Sequence, residues 1–128
     1  MATEEYERGL ALRKEVLGAD YVERSFANAD DFSRPMQQLS TEYCWGKIWG
    51  REGLSRRDRS LLNIGMISAL NRPHELKLHV KAALTNGLSR DEIREALLQV
   101  AIYCGVPAGL DSTRIAREAF AEVDQAAE

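Results

Sequence analysis

Both histidines of this 128-residue chain fall in one stretch, "RPHELKLHVKAALTNG", residues 72–87. Imidazole is the side chain best matched to proton transfer and metal binding near neutral pH, so their spacing decides what they can do. In H-E-x-x-H, two histidines four residues apart share a helical face and chelate zinc. Here His74 and His79 are five apart, which at about 100° per residue separates them by roughly 140° around a helix. They cannot close on one ion. Cys44 and Cys104 lie far from each other in sequence, and ordinary zinc or iron ligand sets find no further members, so no metal is expected.

The two imidazoles differ in setting. On a helical wheel started at Arg72, His79 falls at about 340°, beside Leu76, Val80 and Ala83, with Glu75 one turn before it. His74 falls at about 200°, near Lys81, on the solvated side. His79 is therefore expected to point inward. It is a candidate proton donor or oxyanion donor, held by Glu75 or a neighbouring carbonyl. A core histidine satisfied by one hydrogen bond is the ordinary alternative.

Two further constellations carry chemistry. Glu42, Trp45 and Trp49 follow i, i+3, i+7 spacing and share a stripe. A carboxylate set beside indole rings is a candidate to give or take a proton; tryptophans in a core or interface, with Glu42 paired to a cation, read equally well. Asn63 interrupts the run "LLNIGMISAL", with Arg59 one turn earlier. A polar group in an apolar run needs a partner, from packing or from a ligand. Arg59 and Arg72 are candidates for holding carboxylates, which a guanidinium binds bidentately.

These residues need helices to position them, and the pattern supplies helices throughout. "EEYERGLALRKEVLG" reads as a first helix ending at Gly18, and "DYVERSFANA" as a short second. "RPMQQLSTEYCWGKIWG" is a third, entered through Pro35 and closed near Gly50. Ser55 is placed to cap a fourth, and Pro73 suits the first turn of a fifth that Gly87 ends. Ser89 and Glu92 form a capping box for a sixth, and a seventh runs from about Pro107 to Val123. No alternating strand pattern competes. The fold class is all-α, a single domain over 1–128. From Ala96, "ALLQVAIYC" is apolar almost all round; such a helix needs cover on every side, and a second subunit would supply it.

Composition narrows the partners. With 45% hydrophobic and 29% charged residues and a net charge of −3, the chain reads as globular. Neither nucleic acid nor an anionic membrane is expected as partner. The start, "MATEEYERGLALRKEVLG", lacks a signal peptide's apolar region, and with no CxxC pair a reduced, cytoplasmic protein is expected.

Taken together, "EYCWGKIWGREGLSRRDRSLLNIGMISALNRPHELKLHVKAALTNGLSRDEIREALLQVAIYCGVPAG" and the opening "YERGLALRKEVLG" strongly resemble the carboxymuconolactone decarboxylase family, over residues 6 to 120 or so. The resemblance implies an alkylhydroperoxidase-D-like bundle of about six to seven helices, assembled as a ring-shaped homohexamer, a trimer of dimers. It implies decarboxylation of 4-carboxymuconolactone, or a related carboxylated lactone, to the β-ketoadipate enol-lactone in aromatic degradation, without a cofactor. On that resemblance His79 matches the histidine of the family's shared core; from the residues themselves, Glu42 is the alternative acid, and Arg59, Arg72, Glu75 and Trp45 are the candidates to bind substrate. In the related alkylhydroperoxidase-D-like proteins that histidine follows a CxxC pair, where this chain has Arg72 and Glu75. A thiol peroxidase is thus the enzymatic rival, and a non-catalytic oligomeric ligand-binding protein the other, since a shared fold does not guarantee chemistry.

Overall fold

A computed structural model describes residues 2–128 and is helical throughout, with no strand among the described residues. The chain divides into two compact units, Met1–Ser55 and Arg56–Glu128.

The first unit begins with α1 (Glu4–Leu17). Thr3 Oγ1 accepts the Tyr6 N–H at 3.0 Å, and Glu4, Glu5 and Glu7 sit at the positive end of the dipole. Gly18 ends the helix at φ 95°, a conformation an L side chain rarely adopts. Helix α2 (Ala19–Ala27) follows at once. Helix α3 (Arg34–Leu39) then runs without a break into a π-helix, Ser40–Trp49. The third helix is thus one rod in two windings, a change that apolar periodicity does not announce, because π segments are rare.

The π-helix packs on α1 backbone to backbone. A Cβ added at Gly9 would stand 2.0 Å from the Thr41 carbonyl oxygen, and one at Gly46 would stand 2.1 Å from that of Glu5. Only glycine permits that approach. Arg13, on the inner face of α1 with Gly9, Leu12 and Val16, is buried. Its guanidinium donates to Gln37 Oε1 at 2.9 Å and Thr41 Oγ1 at 3.0 Å. Lys14 alone occupies the last turn as the dipole's basic partner.

The second unit contains α4 (Arg56–Ala69), α5 (Pro73–Thr85), α6 (Arg90–Cys104) and α7 (Val106–Ala126). Its core joins Ile64 of α4, Leu76, Val80 and Ala83 of α5, Ile93 and Leu97 of α6, and Ile115 of α7. Pro73 opens α5, where its missing N–H costs nothing. The far end closes as a Schellman motif: Leu88 N–H donates to Ala83 at 2.9 Å and Gly87 N–H to Leu84 at 3.2 Å, with Gly87 at φ 100°. Ser89 and Glu92 make the capping box that the sequence predicts for α6. Lys77 and Lys81 of α5 grip Glu122 of α7 at 2.7 and 2.6 Å. These two cations hold the Glu122 carboxyl well below its ordinary range, at about 2. The helix α7 begins one residue earlier than its Pro107 suggests and runs three residues past Val123. The outward side of α6 is uncovered, with Leu98 at 55%, Ile102 at 79% and Tyr103 at 80% exposure.

Candidate active site

Helix α5 carries the central candidates. Its inner face buries Leu76, Val80 and Ala83, and His79 stands at the edge of that stripe, partly buried, while His74 is exposed. The wheel therefore sorts the two imidazoles correctly. Burial pushes the His79 imidazole below its ordinary pKa because the cationic form loses hydration; the charge of Glu75 opposes this only in part. At neutral pH the side chain is a neutral imidazole with an N–H to donate. Glu75 itself is exposed.

Arg72 sits at the start of α5, and its guanidinium donates one hydrogen bond, at 3.1 Å, to the carbonyl of Leu70. The rest of the fork is left to a ligand or water. Arg59 and Asn63 lie one turn apart on α4, each half-buried. Helix α4 packs directly on α5. Arg59, Arg72, Glu75 and His79 thus belong to one packed helix pair in the second unit.

Glu42 and Trp45 belong to the first unit. Trp45 and Trp49 are buried and stacked, with ring centroids 4.7 Å apart and an 18° angle between planes. Glu42 is half-buried and borders a hollow shared with Thr3, Tyr6 and Gln38. Cys44 is exposed as a residue, yet desolvation pushes its thiol up, with Arg13 opposing. A raised thiol is a poor nucleophile. No group of three or more His, Cys, Asp or Glu suited to a metal ion occurs among the described residues, and no helix among them is long and apolar enough to cross a membrane.

Sequence reasoning passed over the buried polar groups Arg13, Thr41, Ser60, Ser68 and Ser112. Arg13 was legible as the fourth member of the i, i+3, i+4, i+7 set with Gly9, Leu12 and Val16. Ser68, in "MISAL", is buried at 4% exposure, and its hydroxyl finds no partner among the described residues; its place in an apolar run was the available signal.

Similarity to known proteins places the chain in a family. The model of the carboxymuconolactone decarboxylase family matches residues 34–118. A nitrosuccinic acid decarboxylase from Metarhizium robertsii is 46% identical over 107 residues, covering 84% of this chain and 75% of its own. A 4-carboxymuconolactone decarboxylase from Acinetobacter baylyi is 39% identical over 123 residues, 96% of this chain and 92% of its own. The match takes in α4, α5, α6 and the π-helix together, so the chain belongs to the carboxymuconolactone decarboxylase family.

Proposed function

We propose that this protein is a cofactor-independent decarboxylase acting on a small acid whose departing carboxylate neighbours an electron sink, with 4-carboxymuconolactone as its substrate. The observation that carries this reading is His79: a single inward imidazole, held neutral by desolvation, on the helix that also bears Arg72 and Glu75. The similarity to a 4-carboxymuconolactone decarboxylase along 96% of the chain supports the substrate.

The chemistry asks for little else. When the C–C bond to the carboxylate breaks, CO2 leaves and the electron pair moves through the conjugated ring onto the lactone oxygen. The substrate is its own sink. The resulting dienolate then takes a proton on carbon, so the acid exchanges CO2 for hydrogen. Arg59 and Arg72 hold carboxylate by charge-assisted hydrogen bonds. The His79 N–H donates to the oxygen on which charge develops, a role worth about 2.7–4 kcal/mol for a well-placed donor. Burial that keeps the imidazole neutral favours this role over that of a resident acid.

Nitrosuccinic acid is the second reading, favoured by 46% identity to a decarboxylase of that acid. Its nitro group accepts the electron pair as a nitronate, so the same cation, N–H donor and proton source serve. The protein acts in the cytoplasm as a homohexamer, a trimer of dimers; the uncovered apolar side of α6 supports self-association. The test is CO2 release from both acids side by side. Turnover of 4-carboxymuconolactone in clear excess is expected. Preference for nitrosuccinic acid would move the substrate to the second reading, and release from neither would remove both.

A further inference from the structure

A separate feature lies in the second unit where α4 ends and α5 and α7 begin. The three ends enclose a cavity of about 250 Å³, several times the roughly 30 Å³ that one water occupies in the liquid. Leu76 and Ile115 give it an apolar floor. Two serines in its wall, Ser68 and Ser112, are 4% and 3% exposed. The Ser68 hydroxyl makes no hydrogen bond among the described residues, and a buried hydroxyl left so is destabilising unless something enters to meet it.

The surrounding electrostatics say what would enter. Neither α5 nor α7 has a side-chain cap, and both open with proline in the first turn, at Pro73 and Pro107. Of their first-turn residues Pro73, Pro107 and Ala108 line the cavity; the prolines carry no N–H, so the Ala108 N–H and the positive dipole ends are what the helices supply. Arg72 lines it, and among the described residues its guanidinium donates only to the Leu70 carbonyl. Asp111, also in the lining, is drawn to Arg114 at 3.3 Å.

We propose that this cavity binds a carboxylate of a small dicarboxylic acid, with Arg72 and the start of α7 holding the anion and Ser68 donating a hydrogen bond. The carboxylate has two possible sources: the remote carboxylate of the substrate, or a separate acid that binds while the reaction proceeds elsewhere.

Succinate, titrated calorimetrically into the full chain, is the probe, with dimethyl succinate as the uncharged control. Saturable binding of succinate and none of the diester is expected. Arg72→Ala should weaken binding at least about tenfold, and Ser68→Ala about threefold, the range for hydrogen bonds to a charged group and between ordinary partners. Ser68→Ala should also raise the melting temperature of the ligand-free protein, because it deletes an unsatisfied hydroxyl. A serine with a purely structural role would do the reverse. Competitive inhibition of CO2 release by succinate assigns the cavity to the substrate's remote carboxylate; non-competitive inhibition assigns it to a separate acid and leaves Arg59 alone to hold the substrate's carboxylate. Absence of saturable binding, equal binding of the diester, or unchanged affinity in both variants would overturn the proposal. Because binding is read as heat, it stands or fails whether or not either acid of the proposed reaction is turned over.

Discussion

At the scale of the residue, His79 is a titratable group that burial separates from water. Its folded pKa is lowered by burial, so over the window below the ordinary value of 6.5 the unfolded chain binds a proton that the folded chain refuses. Stability therefore rises with pH through that window and falls as pH drops from about 6.5. His79→Gln, which cannot titrate, should show a flatter urea midpoint between about pH 5 and pH 7. An identical slope in parent and variant would mean the imidazole is not desolvated. The inward placement of His79 and the outward placement of His74 were legible because a helix has a fixed angular step, and neighbours on one element determine the side. The cavity beside Ser68 was not, since it depends on where three separate helix ends meet.

At the scale of the element, most boundaries follow from local chemistry. The Ser89–Glu92 box and the Gly87 exit each satisfy groups within a few residues of themselves, and Pro73 enters where its missing N–H costs nothing, which is why the pattern alone finds them. The π-helix is different. Nothing local in "STEYCWGKIW" demands the wider winding; it occurs where the rod is pressed against α1 at Gly9 and Gly46. That contact leads to a sharp expectation. Gly46→Ala places a methyl 2.1 Å from the backbone oxygen of Glu5, and a backbone atom cannot swing aside as a side chain can. The cost should reach or exceed the upper end of ordinary overpacking, about 3 kcal/mol, read from chemical denaturation. A loss below about 1 kcal/mol would show that the two helices separate easily.

At the scale of the whole molecule, the apolar content exceeds what one chain covers. Leu62 and Met66 of α4 and Leu98, Ile102 and Tyr103 of α6 are exposed, and α4 and α6 border a groove of about 730 Å³ with a largely aliphatic lining. The all-round apolar stretch after Ala96 made this visible in the sequence, because no polar side is left to face water. No symmetry of assembly was visible there, since one chain's pattern marks an apolar side and not what covers it. If self-association uses this face, Ile102→Glu should reduce the molar mass measured by light scattering behind size exclusion, while the helical circular dichroism persists. A monomeric parent, or a variant of unchanged mass, would place the contact elsewhere.

Decarboxylation assisted by a neutral, desolvated imidazole is tested most directly by CO2 release from 4-carboxymuconolactone, comparing the parent with His79→Ala at matched oligomeric state. Loss of the N–H donor should lower turnover at least about a hundredfold. A His79→Ala protein that releases CO2 within a few fold of the parent would contradict it.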